Sequence, residues 1–172
     1  MTPLPGALGG TALLAWRLDR TVYAQTWDSG EGAYRAGGRW NEQGVRAVYC
    51  SLDPACAILE VAVHTGFDSL DTVPYVLTAI EITDPAAVHV VQPGDVPNPN
   101  WLRPGRPSAG QQKRGSALLS AHAFVVIPSA VSTASWNLMF TPSRAAGKYR
   151  LHTQERFALD TRLHPPQAKP KP

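Results

Sequence analysis

The feature that most constrains the fold is a series of short strand-like segments. The clearest is residues 74–82, and a second apolar run follows at residues 88–91 after the turn Thr83-Asp84-Pro85. Further strands are predicted at residues 13–18 (a strand or an entry segment), 47–50, 122–127, 137–140 and 149–157. Only two helices are predicted, at residues 54–65 and 111–121. Because strands and helices do not alternate regularly, the sequence favours an α+β domain around a mostly antiparallel or mixed sheet.

The first predicted helix has clear boundaries. Asp53 is suited to the N-cap, Pro54 to the first helical position and Gly66 to the C-cap. Five apolar residues lie at helical spacing on one face: Ala55, Ile58, Leu59, Ala62 and Val63. Ala57 and Val61 make the other side apolar too, which indicates a buried helix. In such a helix Glu60 and His64 stand out.

Two other stretches are predicted as loops. Residues 28–44 hold five of the 14 glycines, and residues 93–107 are rich in proline around Trp101. With 172 residues and 44% hydrophobic residues, we expect one folded domain over residues 1–163. The Pro- and Lys-rich tail, residues 164–172, is expected to be disordered.

Composition also narrows the functional classes. The net charge of +3 comes from scattered basic residues, which is a weak signal for nucleic-acid binding. Cys50 and Cys56 show neither zinc-site nor disulfide spacing and are predicted to be small core residues. No run is long enough to span a bilayer, and the first residues lack the charged region of a secretory signal. The expected location is therefore the cytoplasm.

The segment Gly37-Gly38-Arg39-Trp40-Asn41 is the first candidate site. Two glycines allow the backbone to approach a ligand closely, and the planar guanidinium of Arg39 suits a pyrophosphate. The alternative is an exposed loop arginine stacked on Trp40.

Glu60 is the second candidate, because a buried carboxylate must be paired, hydrogen-bonded or protonated. The alternative is a structural pair with His64, four residues later on the same helix face. These two residues could also be metal ligands, but no third ligand has a telling spacing, so no metal is expected.

Three more residues are candidates with simpler alternatives. Ser129 after Pro128 could orient a substrate or cap a turn, and it lacks the GxSxG context of a hydrolase nucleophile. Tyr49 could share a cleft with Glu60 or be a half-buried strand tyrosine. Arg17 could bind a ligand or be an edge-strand arginine with a solvated head.

Together these residues resemble the RES domain, the toxin half of RES–Xre toxin–antitoxin pairs, named for its Arg, Glu and Ser. The matching pieces are Trp-Arg-Leu at 16–18, Gly-Gly-Arg-Trp-Asn at 37–41, Tyr49, Ala-Ile-Leu-Glu at 57–60, Pro97 to Trp101, Pro-Ser-Ala-Val at 128–131 and Leu-Asp-Thr-Arg-Leu at 159–163. Their order and spacing make the combination specific.

The resemblance implies an ADP-ribosyltransferase-like fold and a toxin that depletes NAD by breaking its nicotinamide–ribose bond. It implies that Glu60, Arg39 and Ser129 are catalytic, and that Arg17, Arg39, Tyr49 and Ser129 bind NAD, with no metal. It also implies an Xre-type antitoxin that masks the active site, so that nucleic acid is contacted only through the antitoxin.

Three alternatives remain at this stage: a mono-ADP-ribosyltransferase that modifies a host protein, a nucleic-acid-binding or ribonuclease toxin, and a catalytically dead interaction module. After Asn137 the chain departs from the family pattern, in which Asn-Pro and a later His-Pro are common. Here Phe140-Thr141-Pro142-Ser143-Arg144 keeps only the proline. The acceptor of ADP-ribose is therefore open among phosphate, water and protein.

Overall fold

The computed structural model describes residues 12–96, 98, 100–103, 105 and 107–163. The predicted tail at residues 164–172 lies outside them. The strands are β1 Leu13–Arg20, β2 Val48–Ser51, β3 Tyr75–Ile82, β4 Val88–Val90, β5 Phe124–Pro128, β6 Trp136–Phe140 and β7 Tyr149–Phe157. The helices are α1 Glu31–Ala36, α2 Pro54–Thr65, α3 Phe67–Thr72, α4 Ala109–Ala121 and α5 Pro142–Ala145. None of the helices among these residues has the length and apolar character that crossing a membrane requires.

The strands form one seven-stranded sheet in the order β4-β5-β6-β2-β1-β3-β7. Every neighbouring pair is antiparallel except β4 and β5, which run parallel. The predicted α+β class with a mixed, mostly antiparallel sheet is confirmed.

The sheet curls so that its distant strands meet around an inner core. The ring of Tyr149 on β7 lies 4.9 Å from that of Phe140 on β6, although three strands separate β7 from β6 in the sheet. Between them lie Leu13, Ala15 and Cys50, all buried. Because side chains alternate along a strand, the residues between these in sequence point to the outer face.

Two helices cover the outer face. Helix α2 packs over β1, where Leu18 joins Ala62 in a buried cluster. Helix α4 lies over β5, where Leu119 packs with Val125 and Ile127. The sheet positions between these two helices carry Tyr49 and Ser51, and these positions become the candidate site.

Two helix predictions need correction. Residues 28–44 are not all loop, because α1 forms at Glu31–Ala36, with its first-turn Glu31 bonded to Arg35. Helix α2 is not buried all round: Leu59 is 38% exposed and Val63 58% exposed. Since α2 meets the sheet on one side only, the predicted apolar face was wrong, and Cys56, Ala57 and Ala62 are its buried residues.

In the predicted loop at 93–107, the described residues are irregular apart from a 3₁₀ turn at Pro93–Asp95, and two of them are anchored in the core. Val96 and Trp101 are buried, and the Trp101 ring meets that of Trp40 edge-on at 5.5 Å. Residues 97, 99, 104 and 106 lie outside the described ones.

The free energy of unfolding should fall as the pH is lowered below about 6.5, the ordinary pKa of histidine. Burial lowers the pKa of His122, as do its stacked neighbour His89 and Arg144, so the unfolded chain takes up a proton that the folded chain resists. Urea unfolding at several pH values measures this slope. His122→Gln should flatten it, whereas a change at the exposed His64, His64→Gln, should not; equal slopes in all three proteins would contradict the assignment.

Candidate active site

Glu60 lies half-buried in α2, which is fixed at both ends. The side chain of Asp53 accepts a hydrogen bond from the Cys56 backbone N–H at 2.7 Å, and Pro54 occupies the first turn. Gly66 ends the helix with a positive φ of 80°, a conformation suited to glycine. The predicted capping is thus confirmed at all three positions.

One carboxylate oxygen of Glu60 is held by two side chains. Its Oε1 accepts from the Ser129 hydroxyl at 2.8 Å and from the Asn137 amide at 2.6 Å. Among the described residues, no protein group donates to Oε2. The alternative pair with His64 is not present in this part of the chain, so the carboxylate is oriented by the sheet and leaves one oxygen available.

Ser129 caps a turn, one of the two arrangements considered from the sequence, and it also contacts Glu60. Its hydroxyl oxygen accepts from the backbone N–H groups of Val131 and Ser132 at 3.1 and 3.0 Å, which makes the turn after β5, while its proton goes to Glu60. The side chain is fully buried. A hydroxyl engaged in this way contacts Glu60 and is not placed as a nucleophile.

Asn137 is a site residue that sequence reasoning missed. It lies opposite Ser51 in the β2–β6 register, and its Oδ1 accepts from the Ser51 hydroxyl at 2.8 Å and the Cys56 thiol at 3.6 Å. Both donors are buried, and the predictions that Cys50 and Cys56 are core residues are confirmed. The available signal was a pair of polar residues, Ser51 and Asn137, in otherwise apolar strands.

The segment Gly37–Asn41 is tied to β2 by the side chain of Tyr49. The Tyr49 hydroxyl donates to the side-chain oxygen of Asn41 at 2.7 Å and accepts from the Trp40 backbone N–H at 3.1 Å. Burial raises the pKa of Tyr49, which keeps this hydroxyl a donor at neutral pH. A Cβ on Gly38 would lie 2.8 Å from the same hydroxyl, so this approach requires a glycine.

Arg39 is half-buried and faces the proline-rich loop. Its Nη1 donates to the backbone oxygens of Trp101 and Arg103 at 3.2 and 3.3 Å. Among the described residues, its Nε and Nη2 have no partner, so one edge of the guanidinium is open for a bidentate ligand. Stacking on Trp40, the alternative, does not occur, because the Trp40 ring is buried against Trp101.

Arg17 is not an edge-strand residue with a solvated head, because β1 lies between β2 and β3. Its guanidinium pairs in a bidentate manner with Asp19 at 2.6 and 2.7 Å and donates from Nη1 to the Tyr49 backbone oxygen at 2.9 Å. Alternation along the strands places the Arg17 and Tyr49 side chains on opposite faces. They meet only through that carbonyl.

The structure therefore joins the predicted residues in two groups. Glu60 and Ser129 are in direct contact, while Tyr49 on β2 is hydrogen-bonded to the segment that carries Arg39. Strand β2 connects the groups, since Tyr49 and Ser51 lie on its same face. In the part of the chain that the structure describes, no three His, Cys, Asp or Glu side chains gather as a metal site would require.

Comparison with known proteins gives one family and several relatives. The family model described as the RES domain matches residues 14–160. A protein named Toxin Res from Photorhabdus laumondii is 32% identical over 155 residues, which cover 88% of this chain and 97% of that protein. One named Prs ADP-ribosylating toxin from a Sphingobium species is 35% identical over 143 residues, covering 77% and 84%.

A solved structure is also similar. It is the MbcT–MbcA toxin–antitoxin complex of M. tuberculosis, with a TM-score of 0.68 over 86% of this chain and 85% of that chain. The sequence identity is 21%, so this likeness concerns the fold. It shows that the mixed α+β fold of this chain is shared with a chain of that complex.

Proposed function

The chain belongs to the RES domain family, and on that premise we propose that it is the toxin of a toxin–antitoxin system and depletes NAD by breaking the nicotinamide–ribose bond. The observation that carries this proposal is the Glu60 carboxylate, held at Oε1 by Ser129 and Asn137, with no donor to Oε2 from the residues that the structure describes. Relatives named as toxins support the biological setting.

The proposed reaction passes through an oxocarbenium-like state of the ribose. The bond from ribose C1′ to the nicotinamide nitrogen breaks, and its electron pair leaves with nicotinamide. Oε2 of Glu60 would accept a hydrogen bond from a ribose hydroxyl, and its negative charge would stabilise the cation that forms. An acceptor oxygen, from phosphate or water, then bonds to C1′, with loss of a proton when it is water.

The remaining residues are assigned by their open hydrogen-bonding groups. We propose that the Nε–Nη2 edge of Arg39 binds the NAD phosphates. The Tyr49 ring is assigned to the nicotinamide end of NAD. Ser129 acts through Glu60, so we assign it a positioning role. Arg17 is already neutralised by Asp19, and we propose that it supports β2 and contributes less to phosphate binding than Arg39 does.

A second candidate is transfer of ADP-ribose to a protein, which the similarity to the Prs ADP-ribosylating toxin favours. Both reactions break the same bond and differ in the acceptor. NMR of NAD with the purified chain, with and without phosphate, distinguishes ADP-ribose-1-phosphate from free ADP-ribose. Labelled protein in a lysate incubated with labelled NAD would favour transfer, and unchanged NAD in every assay would refute both.

Arg39→Ala is expected to raise the KM for NAD about tenfold to a hundredfold, which corresponds to the loss of charge-assisted hydrogen bonds to phosphate. Steady-state kinetics by nicotinamide release measures this change. Arg35→Ala removes an exposed arginine of α1, four residues before Arg39, and serves as the matched control. A wild-type KM in Arg39→Ala would refute the phosphate assignment.

We further propose an Xre-type antitoxin that covers this site, with nucleic acid contacted through the antitoxin. The support is the fold likeness to a toxin of a toxin–antitoxin complex. A gene for a small DNA-binding protein beside this one, and loss of NAD consumption when its product is added, would be the expected results. Full activity in the mixed complex would contradict masking.

A further inference from the structure

The amide of Asn137 has a defined direction. Its Nδ2 donates to Oε1 of Glu60 at 2.6 Å, while its Oδ1 accepts from the hydroxyl of Ser51 at 2.8 Å and the thiol of Cys56 at 3.6 Å. Ser51 and Cys56 can donate, and a carboxylate can only accept. The reversed amide would place its oxygen against the carboxylate oxygen of Glu60, and the protons of Ser51 and Cys56 would lose the amide oxygen as their acceptor.

Burial makes the reversed orientation unfavourable. Ser51 and Cys56 are almost completely buried, so each would lose its acceptor away from water. Burial also raises the pKa of the Cys56 thiol, which stays protonated and able to donate at neutral pH. The accept-only carboxylate of Glu60 therefore selects this orientation of the amide, and the two buried donors support it before any ligand binds.

Three elements of the fold meet at this side chain. Ser51 ends β2 and lies opposite Asn137 on β6, while Cys56 and Glu60 lie one turn apart on α2. The amide of Asn137 thus connects the sheet to the helix beside the carboxylate. Ser129 holds the same oxygen of Glu60 from the end of β5, so two strands fix one carboxylate.

We propose that Asn137 is a positioning residue for Glu60, and that Ser51 and Cys56 hold its amide oxygen so that its nitrogen stays on Oε1 and Oε2 is presented to the ribose. The inference rests on the proposed function, in which Glu60 assists the breaking of the nicotinamide–ribose bond. It adds to that function a second support for the carboxylate, beyond the serine in the family motif.

Asn137→Ala should lower kcat for NAD consumption about tenfold to a hundredfold, the loss expected for one hydrogen bond to a charged group, and leave KM within about twofold. Nicotinamide release by the purified full chain measures both constants. Gln25→Ala, a change at an exposed amide side chain outside the site, is the control. A kcat equal to that of the wild type, or a change confined to KM, overturns the inference.

A double-mutant cycle separates positioning from a general effect on folding. Ser51→Ala combined with Cys56→Ala should lower kcat in the wild-type background but have almost no further effect in Asn137→Ala, because the donors act through the amide. Effects that multiply would overturn the inference. If the wild type itself consumes no NAD, the proposed function is refuted. If the wild type is active and Asn137→Ala has the same kcat, only the positioning role of Asn137 is refuted.

Asn137→Asp provides a further test if Asn137→Ala does not fold. Its new carboxylate would face the one on Glu60; the other ionisable groups nearby are Cys56 and Asp53, the latter bound to the Cys56 N–H. We expect kcat to be low at neutral pH and to recover towards the wild-type value as the pH falls, when a shared proton restores a donor. A constant ratio to the wild type across pH would contradict positioning.

Discussion

Glu60→Gln is expected to lower kcat for NAD consumption roughly a thousandfold, a loss typical of removing a charged group that stabilises a transition state. The amide oxygen of glutamine can still accept from Ser129 and Asn137, as Oε1 of Glu60 does. Its nitrogen then replaces the open Oε2. The variant therefore keeps the shape and the contacts but removes the negative charge and the acceptor at the ribose.

This prediction is measured by nicotinamide release together with thermal unfolding. The melting temperature of Glu60→Gln should stay close to that of the wild type, because both hydrogen bonds remain. Glu155→Gln, a change at an exposed glutamate of β7, is the matched control and should keep full activity. Undiminished turnover in Glu60→Gln would mean that the carboxylate takes no part in the reaction.

Gly115→Ala is expected to lower the free energy of unfolding strongly, because the added methyl group has no space. A Cβ at this position of α4 would lie 2.0 Å from the backbone oxygen of Trp40 and 2.6 Å from its carbonyl carbon. Backbone atoms cannot move aside as a side-chain end can, so α4 or the segment Gly37–Asn41 must shift. Overpacking of this kind costs about 2 kcal/mol or more, even after the better helix propensity of alanine.

For a chain of this size, that loss lowers the melting temperature by about 4 to 8 °C. Gly110→Ala in the first turn of the same helix is the control, because the nearest atom to its Cβ is 3.9 Å away. It should leave the stability unchanged or raise it by up to about 1 kcal/mol. Circular dichroism melts of both variants make the comparison.

The same Gly115 variant should also lose activity, since Trp40 adjoins Arg39. If Gly115→Ala melts like Gly110→Ala, the close packing of α4 on the glycine segment is wrong. If it is destabilised but fully active at a temperature where it is folded, the segment tolerates displacement and Arg39 does not require this support.

Local sequence signals predicted the parts of the fold that depend on neighbours along the chain. The capping of α2 by Asp53, Pro54 and Gly66 was correct because a cap involves only the first or last turn of a helix. The strands were also found, since alternation and apolar runs are local properties. Helix α1 was missed because its glycines and charges outweighed a period that six residues cannot establish.

Local sequence could not show which side of α2 faces the sheet or where β1 lies in the strand order. The apolar residues of α2 surround the helix, so its sequence could not indicate which side meets the sheet, and Leu59 and Val63 proved to be exposed. Arg17 had an edge-strand position as one of its two interpretations, because the sequence of a single strand does not show where that strand lies in the sheet. The structure places β1 between β2 and β3 and excludes the edge position.

The sequence by itself determined the family, the α+β class and the residue types of the candidate site, because these reside in motifs of a few neighbouring residues. Only the tertiary structure decided which atoms of these side chains form hydrogen bonds with one another. It joined Glu60 to Ser129 and Asn137 across 69 and 77 residues of chain, and among the described residues it left one edge of Arg39 without a partner. Such contacts depend on strand order and on the side from which α2 packs, and neither is encoded within any one segment.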